Sequence, residues 1–420
     1  MRGLALEGGG ARGSFQVGAI KALKELGIEF DAITGTSVGA INGALIVMDD
    51  LERMQAIWEG AEMADMVNGD SEVIQEIVSF EFKSDIQKLR EVILNTFKQG
   101  GFDVTPFRMR LRDSIDESVI RNSKVDYGLV TLSLTDLKPI EIFIKDIPEG
   151  KLHDYILASS NYPAFKDEKF DNKKMIDGAF FDNLPVNMLI ERGCDEVIAV
   201  RLNSLGRIRK PPKDTKAKII MIEPSEDLGR TLDVDPKRAK HNMKLGYFDT
   251  MRVMKELKGN RYYIEDLPEE QRLTDQMARM PEETARKIAE IIKSEKPHKR
   301  MIFEDLLPLL ADLVKADKGH TYGELVLNFY EHLAELLEID RFEIFTFEVF
   351  LDRVRKEFLN SSTLMKDSDE FGKHLINLIP LKGMGLLPQK TKDHLLIQIY
   401  RVLFQKGFWA PSTESTENMV

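Results

Sequence analysis

Cysteine is nearly missing from this chain: Cys194 is the one such residue among 420. That excludes an internal disulfide and any paired-thiol motif, and its place just before Val197-Ile198-Ala199-Val200 suits a small buried side chain rather than a reactive thiol. No H-E-x-x-H pair and no calcium loop occurs, so neither a metal nor another cofactor is expected. No apolar run approaches the ~18 residues of a membrane span. The N-terminus enters an apolar strand directly, without the charged start and apolar stretch of a signal peptide. No transmembrane segment is therefore expected, and the expected address is the cytoplasm, at most peripheral to a membrane. Positive charge is also scarce, with 59 basic residues against 70 acidic ones and a net charge of −11. This argues against a nucleic-acid partner and against strong general attraction to anionic lipid. Locally the balance reverses, where Arg207, Arg209, Lys210, Lys213, Lys216 and Lys218 gather around Pro211-Pro212. That loop reads either as a solvated tip or as a contact for anionic head groups.

What is present points to chemistry at two places. In Gly35-Thr36-Ser37-Val38-Gly39, an apolar strand at 32–34 gives way to a small-residue helix at 40–47. A serine between glycines at such a turn has its hydroxyl pushed clear of the backbone, as a nucleophile must be, although Gly and Ser also mark ordinary turns. Earlier, the strand at 4–6 runs into Gly8-Gly9-Gly10-Ala11-Arg12-Gly13 and then a helix at 14–26. Ala19, Ala22, Leu23 and Leu26 share one face of that helix, and Gly27 sits where a left-handed cap belongs. A glycine loop at a helix N-terminus leaves backbone N–H groups unpaired in a region that favours negative charge. Either the loop holds the phosphates of a dinucleotide, with Gly8, Gly10 and Gly13 in G-x-G-x-x-G spacing and Asp31 as the ribose acid, or its N–H groups form an oxyanion hole. A Walker-type loop is excluded because Ser14 stands where lysine is required. The oxyanion reading uses both motifs; the dinucleotide reading leaves Ser37 without a task.

Gly-Gly-Gly-Ala-Arg-Gly followed by Gly-Thr-Ser-Val-Gly-Ala-Ile-Asn-Gly resembles the patatin-like phospholipase family. Asp177-Gly178-Ala179 matches the family's downstream aspartate, which closes a strand. Ala158-Ser159-Ser160-Asn161-Tyr162-Pro163 and Asn183-Leu184-Pro185-Val186 resemble the segments before and after it, and Lys244-Leu245-Gly246-Tyr247 is a weaker match, so that the likeness covers roughly residues 2–255. The resemblance implies a two-residue centre without histidine, with Ser37 as nucleophile and Asp177 as general base. It implies a nucleophile elbow framed by Gly35 and Gly39 and an oxyanion hole drawn from Gly8, Gly9, Gly10, Ala11, Arg12 and Gly13. It also implies a lipid ester substrate, phospholipid or lysophospholipid. A non-lipid acyl ester or thioester, or a noncatalytic scaffold, are the competing readings. A Ser-His-Asp triad finds no good histidine. His153 lies in a polar turn, His241 in a charged helical run, and His298, His320, His332, His374 and His394 in another domain.

The expected fold is α/β: a three-layer patatin-like arrangement with a mainly parallel central sheet, plus a C-terminal all-α domain. Further strands are expected at 129–134, 140–144, 197–202 and 218–222, and helices at 236–257 and 281–294. The catalytic domain is expected over 1–296, with a helical insertion at about 49–124 that includes helices at 73–78 and 86–97. Phe80, Phe82, Phe97, Phe102 and Phe107 there either fill the insertion's own core or line an acyl groove. The polar break at 295–300 marks the boundary, amphipathic patterns over 301–409 read as a helical bundle, and 410–420 as a disordered tail.

Overall fold

The computed structural model describes residues 1–60, 103–162, 165, 169–170, 172–361 and 380–405. The helices expected at 73–78 and 86–97, Phe80, Phe82, Phe97 and Phe102, Pro163, His374 and the tail all lie outside those residues. Two compact units make up the chain, Met1–Met254 and Lys255–Val420.

The first unit is built on a sheet of eight strands: β1 (Arg2–Leu6), β2 (Ala32–Thr36), β3 (Asp126–Ser133), β4 (Lys138–Phe143), β5 (Lys169–Phe170), β6 (Lys173–Asp177), β7 (Glu196–Val200) and β8 (Lys218–Ile222). Strands β8, β7, β1, β2 and β3 lie side by side and parallel, while β4 and β6 run antiparallel to β3 and β5 antiparallel to β6. Helices α1 (Ser14–Glu25), α2 (Val38–Val47) and α3 (Leu51–Glu59) follow the first two strands.

Side-chain alternation assigns the layers. Ala5, Ala32, Val197 and Ala199 face one way and bury against Leu184, Val186 and Leu189, at and within the helix Val186–Glu191. Leu6, Ile33 and Tyr127 face the other way, toward Gly43 of α2, and the Tyr127 hydroxyl donates to Ala40 O at 2.7 Å. Small residues on the first face let the short helix sit close, and bulky ones on the second fill the space under α2. This is the expected three-layer α/β fold with its mainly parallel sheet.

A second close approach joins α1 to the long helix Pro236–Lys255. A Cβ on Gly18 would lie 1.8 Å from Met243 O, and one on Gly246 would lie 2.0 Å from Phe15 O. Two backbones are therefore in contact, which is the reason glycine stands in the Lys244–Tyr247 stretch.

The division between units falls at Met254/Lys255, ahead of the polar break at 295–300. Tyr262, Leu273, Met277, Ile288 and Ile292 belong to the same buried cluster as Leu306, Leu310, Phe329, Phe350 and Tyr400. Packing thus assigns the helix Glu282–Ile292 to the helical unit. Nor is the polar break a linker: Ser294 Oγ and Lys296 Nζ each donate to Asp305 at 2.5 Å. The second unit is helical as expected, with one short strand pair added. Residues Tyr263–Ile264 (β9) and Ile344–Phe345 (β10) form a short parallel pair, each too brief for alternation to register in the sequence. Among the described residues no helix is long and apolar enough to cross a membrane.

The Gly18–Gly246 crossing yields a stability prediction. Gly246→Ala gains helix propensity but must push the touching backbones away from each other, so it should lower stability by about 2 kcal/mol or more. Gly60→Ala, whose Cβ would come no nearer than 3.4 Å to Ala56 O, should be close to neutral. Urea unfolding of both variants checks this, and a neutral Gly246→Ala would refute it.

Candidate active site

Ser37 is the residue through which β2 becomes α2, and its backbone sits at φ 54°, ψ −124°. A non-glycine residue avoids that region unless its surroundings hold it there. They do so by crowding. A Cβ on Gly39 would lie 2.3 Å from Leu6 O, and one on Gly35 would lie 2.2 Å from Gly39 O. The helix thus starts pressed against the end of β1, with room for no side chain on either flank. The Ser37 N–H donates to Ser159 Oγ at 2.9 Å, and Ser159 Oγ donates onward to Val130 O at 2.7 Å.

Sheet topology brings the second residue in. Along one edge of β3, β2 pairs from Asp126 to Val130, where its partner is Thr36. The opposite edge is taken by β4, from Gly128 to Ser133. β6 therefore pairs with Thr131–Ser133 on the edge that β2 has just left, with Asp177 opposite Thr131. The last residue of β6 thus arrives beside the first residue after β2. There the Ser37 hydroxyl comes close enough to the Asp177 carboxylate to favour its ionised form. Asp177 Oδ1 also accepts the Ala179 N–H at 2.8 Å, and the Asp177 N–H donates to Asn161 O at 2.9 Å. Burial pushes the Asp177 carboxyl up to about 6, and the Ala179 N–H and the Ser37 hydroxyl only partly oppose that rise.

The glycine loop borders the same spot, since a Cβ on Gly8 would lie 3.1 Å from Ser37 Cβ. Its N–H groups are not equivalent. Gly8 donates to Asn183 O at 3.1 Å, Ala11 to Thr231 O at 2.7 Å and Arg12 to Gly9 O at 3.3 Å. Among the described residues, Gly9 and Gly10 N–H have no acceptor. Gly10 holds φ +56°, and a Cβ there would meet Thr231 O at 2.2 Å. Gly13 lies under α2, and its carbonyl accepts Asn42 Nδ2 at 3.0 Å. Arg12 does not project freely: its guanidinium donates to Gly229 O at 2.8 Å and Asn203 O at 2.7 Å, lashing the loop to two later segments. Beneath the loop, Glu7 is fully buried. It accepts the Leu202 N–H at 2.6 Å and the Ser204 hydroxyl at 3.2 Å, with Arg201 Nε at 3.5 Å.

The dinucleotide alternative fails on this geometry. The glycine loop follows the C-terminal end of β1, whereas Asp31 precedes the N-terminal end of the parallel β2, at the opposite edge of the sheet. Its carboxylate is moreover occupied by the Arg2 N–H at 2.7 Å. No histidine among the described residues is hydrogen-bonded to Ser37 or Asp177. His153 Nε2 pairs with Ile115 O at 2.9 Å and His241 Nε2 with Glu226 at 3.1 Å. The sequence reading overlooked Ser159, which braces the Ser37 backbone, and Glu7 and Asn183, which brace the loop. Ser159 and Asn183 stood inside the flanking motifs but with no role attached. Glu7 carried a usable signal: an acid ending an apolar strand just before a glycine loop.

The family model described as "Patatin-like phospholipase" matches residues 4–190, a span that includes the glycine loop, Ser37 and Asp177. Residues 4–190 are thus similar to a patatin-like phospholipase domain. Among curated relatives, "Patatin-like phospholipase domain-containing protein 7" of Rattus norvegicus is 29% identical over 208 residues, 48% of this chain and 13% of that protein. "Lysophospholipase nte1" of Aspergillus terreus is 30% identical over 207 residues, 48% of this chain and 12% of that protein. The chain thus spans about an eighth of the length of these relatives. Among solved structures, VipD from Legionella pneumophila is 14% identical, with a TM-score of 0.39 and coverage of 99% of this chain and 92% of that one.

The raised carboxyl of the patatin-like domain has a thermodynamic signature. Folding favours protonated Asp177 across the window from its ordinary value of 3.8 to about 6. Its contribution to stability is therefore lost as pH rises through that window, at a cost of roughly 1–3 kcal/mol above pH 6. Asp177→Asn should be the more stable protein at pH 8 by that order, with the advantage gone by pH 4. Chemical denaturation at the two pH values measures it, and equal stability at pH 8 would contradict the burial argument.

Proposed function

We propose that this domain is a serine acyl hydrolase that cleaves carboxyl esters of lipids, phospholipid or lysophospholipid, with Ser37 as nucleophile and Asp177 as general base. The observation that carries the reading is a serine hydroxyl on a strained strand-to-helix turn, set beside a buried carboxylate and a loop with two uncommitted N–H groups. The family match and a lysophospholipase among the relatives support the substrate class.

An ordinary carboxylate near ~4 is a weak base toward a serine hydroxyl. Burial reduces that mismatch by bringing Asp177 to about 6, closer to a useful operating pH. In acylation Ser37 Oγ attacks the ester carbonyl carbon as its proton passes to Asp177. The oxygen that becomes negative is stabilised by the Gly9 and Gly10 N–H groups and by the nearby N-terminus of α2. Collapse breaks the bond to the alcohol, which leaves with the proton from Asp177. Water then attacks the acyl-serine, Asp177 takes its proton, and collapse releases the fatty acid and returns the proton to Ser37. One base serves both halves because deacylation is acylation run in reverse, with water in place of the alcohol. Of the six loop positions considered, this narrows the hole to Gly9 and Gly10. Gly8, Ala11, Arg12 and Gly13 shape and anchor the loop. The compartment we propose is the cytoplasm, which suits a lone buried cysteine.

Ser37→Ala should abolish covalent labelling by a fluorophosphonate and leave the circular dichroism spectrum unchanged; retained labelling would put the nucleophile elsewhere. Asp177→Asn should lower kcat by about 10² to 10⁴, the range for loss of a general base. Because the base works ionised, kcat/KM should rise with pH through an apparent pKa near 6 and level off above it. Asp182, also pushed to about 6 by burial, is a control. Asp182→Asn should keep that limb, and its disappearance would assign the titration to the wrong acid.

A further inference from the structure

The turn that follows Asp177 is hydrogen-bonded along its length to the basic loop. The Arg207 N–H donates to Ala179 O at 2.9 Å, the Asn183 N–H to Arg207 O at 2.6 Å, and the Arg209 N–H to Asp182 Oδ1 at 3.2 Å. A loop that is merely basic in the sequence is thus fixed in register against the segment that positions the candidate base.

This ribbon presents two kinds of surface together. Phe180 is 51% exposed, Leu205 66% and Ile208 37%. Between and beyond them Arg207, Lys210, Lys213 and Lys216 are exposed, and among the described residues none has a carboxylate partner. Arg209 is different: it is half-buried, paired with Glu141 at 2.7 Å and stacked over the Phe181 ring at 4.9 Å. Over residues 203–217 five basic side chains meet one acid, Asp214, on a chain whose net charge is −11.

We propose that residues 203–217 together with Phe180 form the face by which this domain seats on an anionic lipid bilayer, a step that rests on the lipid-ester reading. Single exposed apolar residues are ordinary, and so is a solvated basic loop. The combination is not. Apolar side chains enter the boundary between head groups and acyl chains, while lysine and arginine stems lie along it and carry their charges to the phosphates. An acidic protein or a nucleic acid would use the cations and leave Phe180, Leu205 and Ile208 wet. On a chain of net negative charge, a loop this basic favours one direction of approach to an anionic surface. Because that loop is tied to Ala179, seating it brings the segment bearing Asp177 to the interface.

The test uses the full chain, sedimented with vesicles of phosphatidylcholine alone or mixed with phosphatidylglycerol, beside hydrolysis of a soluble short-chain ester. The unmodified protein should bind the mixed vesicles better than the neutral ones. Arg207→Glu, Lys210→Glu and Lys213→Glu combined should weaken that binding on the order of 10²-fold. Leu205→Ser with Ile208→Ser should weaken it about tenfold. Both variants should hydrolyse the soluble ester at the unmodified rate. Equal binding to the two vesicle types, or full binding by the charge-reversed variant, would overturn the proposal. So would loss with the charge variant alone and none with the serine variant, which would mark a face for a soluble polyanion. Absence of ester hydrolysis and of Ser37 labelling would instead sink the enzymatic reading, and vesicle binding would still decide the surface.

Discussion

The turn at Ser37 is the constraint around which the first unit is built. A backbone at φ 54°, ψ −124° on a side-chain-bearing residue costs on the order of 1–3 kcal/mol and persists only if several neighbours enforce it. Here α2 is pressed onto the end of β1 at Gly39, and Ser159 takes the Ser37 N–H. Thr36 Oγ1, one residue earlier, donates to Asp182 O at 2.7 Å. The same hydrogen bond holds the chain just beyond Asp177. The strain and the placement of the carboxylate are therefore enforced by overlapping contacts, and neither can relax alone.

Three buried acids near the site illustrate how environment separates roles. Burial raises Glu7, Asp177 and Asp182 alike. Glu7 is surrounded by donors from Leu202, Ser204 and Asn183 and lies near Arg201, so its charge is used up in bracing the loop. Asp182 Oδ1 accepts the Leu184 and Arg209 N–H groups and fixes the segment after β6. Asp177 accepts one backbone N–H and has the Ser37 hydroxyl beside it. A carboxylate whose partner is itself a transferable proton is the one suited to act as a base. The raised value alone would not have singled it out.

Local patterning carried most of the first unit in the sequence. Glycine loops, apolar triplets and the spacing of small residues locate β1, β2, α1 and α2 to within a few residues, because their determinants lie within one turn or strand. What could not be read is what depends on distant pairing. The exchange of β2 for β6 along one edge of β3 leaves no mark on Lys173–Asp177, a strand with two lysines in five residues. The boundary between units was misplaced for a similar reason. A run of charge at 295–300 looks like a linker, yet Lys296 and Ser294 close on Asp305, and the apolar faces on both sides share one core. In the candidate site, Ser37 and Asp177 were legible through motifs. The division of the loop's N–H groups into spent and uncommitted was not, since the acceptors at Asn183 and Thr231 lie 175 residues or more away in sequence.

That last point bears on what a functional domain must contain. The family match stops at residue 190, but the glycine loop is held by carbonyls beyond it: Leu202, Asn203, Gly229 and Thr231 receive Arg12 or Ala11. Glu7, under the loop, is answered by Leu202 and Ser204. A loop rich in glycine loses much conformational freedom when it is ordered. Keeping Gly9 and Gly10 N–H groups fixed and unpaired therefore demands bracing on both sides, and here one side comes entirely from residues 201–231. Ser37 and Asp177 meet through the sheet within the matched span, whereas the cradle beside them is completed by later chain. The meeting of Ser37 and Asp177 is thus a property of the sheet, and the two uncommitted N–H groups beside them are a property of the whole first unit.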